Sequence, residues 1–148
     1  MQLPPLAQLI PILQTAIGPV ILISGVGLLL LTMTNRLGRV IDRARSLARE
    51  RMQVDEINQG SIEAQLRILW VRARLIRLAI VLSAMSALAA AVLIIALFFT
   101  ALLQVDSAWL IGVLFIICMA CLIGSLAVFI HDLNQSLAAL KLELDGSL

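Results

Sequence analysis

"GVGLLLLTMTNRLGRVIDRARSLARER", Gly25 to Arg51, changes character at one point. No side chain from Met1 to Thr34 carries a charge, and the seventeen residues from Asn35 to Arg51 then hold six arginines. An uncharged apolar run that turns abruptly basic marks the place where a spanning helix leaves a membrane. The whole chain fits that setting. Of its 148 residues 61% are hydrophobic and 14% charged, against about 45–50% and about 25% in soluble domains.

Three runs have the roughly 20 apolar residues needed to cross a hydrocarbon core of about 30 Å. They lie at about 17–34, 78–103 and 109–130. The second and third read "LAIVLSAMSALAAAVLIIALFFTALL" and "WLIGVLFIICMACLIGSLAVFI". The first has an ambiguous start: Pro4, Pro5 and Pro11 disfavour a regular helix before them, and Gly18-Pro19 reads as a cap followed by a first-turn proline. A kinked helix from about Leu9 or an interfacial segment before Gly18 supplies the missing depth. No basic region precedes the apolar stretch, so it is expected to be retained rather than cleaved.

Basic residues in short loops stay on the cytoplasmic side. Ten of the eleven Lys and Arg residues lie between the first and second runs, whereas Gln104–Ser107 has one acid and no base. The expected orientation puts residues 35–77 and the C-terminus in the cytoplasm, and the N-terminus and Gln104–Ser107 outside. Asp42, Glu50, Asp55, Glu56 and Glu63 offset those ten bases, leaving ten minus five, or +5, on the loop. Local pairs are expected between Asp42 and Arg39 or Arg45, and between Glu63 and Arg67. The run reads first as a topology signal on a solvated helical face; contact with anionic lipid head groups, at about 1 kcal/mol per basic residue near a negative leaflet, is a competing and compatible reading. Partial self-pairing weakens the case for an open polyanion-binding patch and disfavours nucleic acid.

The same loop carries an apolar seam. Leu37, Val40, Ala44, Leu47 and Val54 follow a roughly heptad pattern, and Ile62, Leu66, Leu69, Ala73, Ile76 and Ile80 alternate steps of four and three. Both spans therefore continue as amphipathic helices, folding back as an antiparallel hairpin at about 35–77. "NQGS", 58–61, is the expected turn, with Gly60 ending one helix and Ser61 capping the next. A third seam, Leu133, Leu137, Leu140 and Leu144, lies on a C-terminal helix at about 131–145. It either completes a three-helix bundle on the hairpin or faces another subunit. The expected fold class is thus an all-α membrane protein with three transmembrane helices, in a single helical domain over 1–148.

Small residues recur within the spans: Ser24, Gly25 and Gly27 in the first, "SAMSALAAA" with Ser83 and Ser86 in the second, and Ala120, Cys121, Gly124 and Ser125 in the third. Such residues let helix backbones approach where packing drives association. There are more of them than one three-helix subunit is expected to bury, which points to homo-oligomers.

Reactive constellations are few. Cys118 and Cys121 lie mid-span without the further ligands a zinc site needs, and read as packing residues. His131 adjoins Asp132 at the inner end of the third span, where a helix end satisfies both. No Asp, Glu, Lys or Arg falls within a span, which disfavours ion-coupled transport. No nucleophile-and-base set or phosphate-binding glycine loop is present. The expectation is a non-enzyme without metal or cofactor.

Pro19, the apolar helix after it, and Asn35-Arg36-Leu37-x-Arg39-Val40-Ile41-Asp42-Arg43-x-Arg45 resemble a family of bacterial membrane proteins, domain of unknown function 2721. The resemblance extends through all three spans and implies a small three-span protein of the bacterial inner membrane. It makes Asn35, Arg36, Arg39, Asp42, Arg43 and Arg45 candidate interaction or lipid-binding residues, and it brings no activity with it.

Two functions fit these features. One is an assembly or scaffold subunit whose basic hairpin contacts lipid, a neighbouring copy or a protein partner. The other is a passive ion pore built from several copies, lined by small and hydroxyl residues among Ser24, Gly25, Thr32, Ser83, Ser86 and Gly124, with Thr100 a further hydroxyl. The loop charges alone generate a topology test. Cysteines placed at Gln59 and Ser107 are expected to react with an impermeant thiol reagent from opposite sides of the membrane; labelling of both from one side refutes three spans.

Overall fold

The computed structural model describes the backbone at 6–52, 56–103 and 108–145, and side chains at 10–11, 13–52, 60, 62–103 and 108–135. Three helices account for it: α1, Leu6–Arg51, α2, Glu56–Leu103, and α3, Ala108–Asp145. The described residues include no strand. At 46, 48 and 38 residues and about 1.5 Å per residue the helices are roughly 69, 72 and 57 Å long. Each exceeds the about 30 Å of a hydrocarbon core. All three contain segments long and apolar enough to cross a membrane, so the chain is a multi-pass membrane protein.

The helix boundaries depart from the sequence reading in two places. α1 runs through Gly18-Pro19 without a break, and both Pro11 and Pro19 lie inside it. Each proline removes one backbone donor. The Thr15 hydroxyl donates to the Pro11 carbonyl at 2.9 Å, the i−4 back-bonding common to helical threonine. The turn also comes earlier than "NQGS": α1 ends at Arg51, Met52 N donates to Arg49 O at 3.1 Å, and Gly60 and Ser61 lie within α2. One glycine costs only about 1 kcal/mol in a helix interior, which the long apolar seam after it outweighs. Val54, Gln104–Ser107 and the side chains of Leu137, Leu140 and Leu144 lie outside the described residues.

The buried positions follow a heptad register. In α1 they include Val26, Met33, Val40 and Leu47, and in α2 Ile76, Ala79, Ser83, Ser86, Ala90 and Leu93 alternate steps of three and four. In α3, Cys118, Ser125 and Asp132 are buried at successive intervals of seven. Such seams suit helices crossing at shallow angles, with side chains of one seated between those of the next.

The chain divides into two compact units. One comprises Met1–Leu30 and Leu82–Gly124. Its core includes Ala16, Val26, Ala90, Leu93 and Cys118, with Ser83 and Ser86 wholly buried. α2 and α3 are stitched here by reciprocal bonds: the Ser86 hydroxyl donates to the Cys118 carbonyl at 3.0 Å, and the Cys118 thiol to the Ser86 carbonyl at 3.3 Å. Side chains this short reach a neighbouring backbone only when two helices lie close together. A Cβ on Gly124 would meet Leu82 Cδ1 at 3.6 Å, whereas one on Gly25 or Gly27 would meet nothing within 4 Å.

The other unit comprises Leu31–Val81 and Ser125–Leu148. Met33, Val40 and Leu47 of α1 and Ile62, Ile76 and Ala79 of α2 are its buried apolar residues, with Ser125 and Asp132 from α3. The expected seam residues Leu37, Ala44, Leu66, Leu69, Ala73 and Ile80 are half-buried. The Ser125 hydroxyl donates to the Ala79 carbonyl at 2.8 Å. Arg51 of α1 pairs with Glu63 of α2.

The seam bonds generate a graded prediction. Ser125→Ala removes one interhelical bond, worth about 0.6 kcal/mol on average in membrane proteins. Ser125→Leu forces extra volume between α2 and α3 and is expected to cost about 1–3 kcal/mol. Thermal unfolding in detergent, followed by helical circular dichroism, is expected to rank wild type above Ala above Leu; a neutral Leu variant refutes the close α2–α3 contact.

Candidate functional site

The heptad register brings three charges to one place. Asp132 follows Ser125 by seven residues on α3, Arg36 follows Met33 by three on α1, and Arg72 lies between Leu69 and Ile76 on α2. All three occupy seam positions and so turn inward. The Asp132 side chain is 0% exposed, with Arg36 and Arg72 at 17% and 24%. Arg36 Nε lies 2.9 Å from Oδ2 and Arg72 Nε 3.6 Å from Oδ1, so each guanidinium addresses its own carboxylate oxygen. The Arg36 guanidinium also lies 5.7 Å from the ring centroid of Phe129, one helical turn before Asp132, where the ring face attracts a cation. Two cations around one anion leave the cluster with a formal charge of +1.

A carboxylate withdrawn from water costs several kcal/mol unless paired. Its partners come from two other helices, so its pairing requires α1, α2 and α3 to be assembled in one register. Arginine suits this role because it stays charged when partly buried and presents several donors in a fixed fork.

The other members of the arginine-rich motif turn outward. Asn35, Arg39, Asp42, Arg43 and Arg45 are all exposed. Asp42 lies 3.9 Å from Arg45, with side chains 76% and 73% exposed, a pair of small energetic consequence. The expected Asp42–Arg39 and Glu63–Arg67 pairs do not form among the described residues; Glu63 pairs with Arg51 of the neighbouring helix instead. Of the small-residue candidates, Ser24, Gly25 and Thr32 are exposed, Gly124 is half-buried, and Ser83 and Ser86 are wholly buried within one chain.

His131 and Asp132 do not act as a pair. His131 is exposed with Nε2 3.0 Å from the Gln135 amide nitrogen, while Asp132 points into the core. By sequence alone both belong to an undemanding helix end. Heptad spacing from Cys118 through Ser125 was the signal that distinguishes Asp132. Cys118 is buried in packing and Cys121 is half-buried, both as free thiols.

Two substitutions separate the buried cluster from the exposed pair. Asp132→Asn leaves both guanidiniums without their anion and is expected to cost about 3–5 kcal/mol. Asp42→Asn removes an exposed pair worth about 0–1 kcal/mol. Thermal midpoints of the purified variants check this; equal effects overturn the assignment of Asp132 as the organising charge.

No curated protein and no solved structure matches the chain. A match over residues 16–142 takes in the buried Arg36–Asp132–Arg72 cluster and the outward arginines alike, and by it the chain belongs to the family described as protein of unknown function DUF2721.

Proposed function

We propose that this protein is a non-enzymatic, homo-oligomeric assembly subunit of the bacterial inner membrane, which presents a basic helical hairpin to anionic lipid or a protein partner in the cytoplasm. In this reading the N-terminus lies outside and the C-terminus inside, the orientation that the arginine distribution favours. Residues 35–77 form the antiparallel hairpin, which the Arg51–Glu63 pair near the turn supports, and the C-terminal part of α3 packs on it.

The observation that carries the proposal is the uncovered side of α1. Every candidate on this helix except Arg36 is exposed: Ser24, Gly25 and Thr32 in its apolar part, and Asn35, Arg39, Asp42, Arg43 and Arg45 in its charged part. The apolar part offers small residues for close approach of another helix. The charged part offers arginines that the buried cluster does not use. Ser83 and Ser86 are buried inside a single chain, which favours assembly over a pore lined by their hydroxyls.

Gly25 gives a clean test, because a Cβ added there meets nothing within 4 Å in its own chain. Native mass spectrometry in mild detergent is expected to show multiples of the 16.0 kDa chain. Gly25→Leu is expected to keep helicity and shift the population toward monomer. A wild-type chain that stays monomeric in lipid nanodiscs refutes the assembly reading, and ion flux through reconstituted liposomes would favour the pore.

A further inference from the structure

A second basic surface lies on α2, away from the arginine motif of α1. Trp70, Arg74, Arg77 and Val81 follow one another at steps of four, three and four, which places them on one stripe of the helix. With Leu78 beside them they line a groove of about 470 Å³. Trp70 is 63% exposed, and the Arg74 guanidinium lies 5.7 Å from a Trp70 ring centroid. A guanidinium held over an aromatic face keeps its N–H edge available for an anion. Among the described residues no carboxylate lies within ion-pair distance of Arg74 or Arg77; the observed pairs involve Arg36, Arg45, Arg51 and Arg72.

The composition of the groove changes along the helix. Arg77 is the last charge before an uncharged run that extends to Val105, and Leu78 and Val81 form the apolar end of the groove. A groove on α1 provides the contrast: Asp42, Arg45, Arg49 and Glu50 line it together with Ser46, so its two cations face two anions and it has no apolar wall. The α2 groove combines an aromatic ring, uncompensated positive charge and aliphatic side chains, in that order along the helix. A ligand complementary to it carries a negative head and an apolar tail.

We propose that this groove is a binding site for an anionic phospholipid. Arg74 and Arg77 hold the phosphate, Trp70, one turn before Arg74 on the cytoplasmic side, supports the Arg74 guanidinium and borders the outer head group, and Leu78 and Val81 contact the start of an acyl chain. The proposal rests on the reading that α2 enters the membrane with its arginine-rich end at the inner leaflet, where anionic lipid is concentrated.

The test uses the full chain in detergent, titrated separately with phosphatidylglycerol and phosphatidylcholine, with bound lipid counted by native mass spectrometry. Preferential retention of phosphatidylglycerol is expected. Arg74→Gln with Arg77→Gln is expected to weaken it about thirty-fold, from the loss of two favourable contacts. Arg49→Gln with Arg67→Gln removes the same charge elsewhere and is expected to change it little. An equal loss in both double variants means diffuse attraction and overturns the site, as does the absence of a head-group preference.

A second measurement avoids any folding defect in the arginine variants. In Trp109→Phe, Trp70 is the remaining tryptophan. Its fluorescence is expected to be quenched by phosphatidylglycerol brominated near the head group at a lower mole fraction than by the matching phosphatidylcholine; equal quenching overturns the site. The same mass spectra separate this proposal from the assembly reading. Lipid preference in a monomer supports the site and refutes assembly, while an oligomer without preference refutes the site alone.

Discussion

Asp132 imposes the strictest constraint on this fold. A fully buried carboxylate must be compensated, and its partners Arg36 and Arg72 come from α1 and α2. Apolar seams specify that helices pack, but they tolerate displacement by a heptad because one aliphatic contact resembles the next. A charge cluster does not tolerate it: a shift of one heptad would carry Asp132 away from both guanidiniums. Single polar residues at seam positions set register in coiled coils by the same logic, at some cost in stability.

The constraint has particular value in this molecule because the rest of the apolar sequence specifies so little. Between 11% and 28% of the apolar windows in the three helices is buried, and Leu28, Ile21 and Ile116 are each about two-thirds exposed. In lipid those exposed side chains gain nothing by turning inward, since the solvent is as apolar as the core. Helix contacts must then come from close backbone approach and directed polar bonds. The Ser86–Cys118 and Ser125–Ala79 bonds meet that need in one unit and the other, respectively.

The three long apolar helices were legible because hydrophobic length and arginine placement are strong local signals. Burial of Val40, Leu47, Ile62 and Ile76 was legible for the same reason, as periodicity reports which side of a helix turns inward. Boundaries were less so. Gly18-Pro19 and Gly60 resemble helix ends, yet the favourable contacts of residues on either side outweigh the cost of one proline or glycine. The buried cluster was harder still, because its members lie far apart in sequence and each has a bland local explanation. Arg36 read as part of a basic run, Arg72 as one of several loop arginines, and Asp132 as a helix end. Only when their seam positions are superposed on those of Met33, Ile76 and Ser125 do the three share an interior.

Membership of the arginine run therefore does not confer one role on its residues. At about 100° per residue Arg45, nine residues on, lies on the opposite side of α1 from Arg36, whereas Arg43, seven residues on, lies within about 20° of it and is exposed because it stands two turns further along the helix, beyond the position that meets Asp132. Arg36 falls on the seam and is consumed by the fold. Arg39, Arg43 and Arg45 remain in contact with the surroundings. The same division recurs on α2, where Arg72 faces Asp132 and Arg74 and Arg77 line the outer groove. A basic segment that meets the topology requirement with its total charge is thereby free to divide that charge by helical position, inward for register and outward for whatever the membrane surface presents.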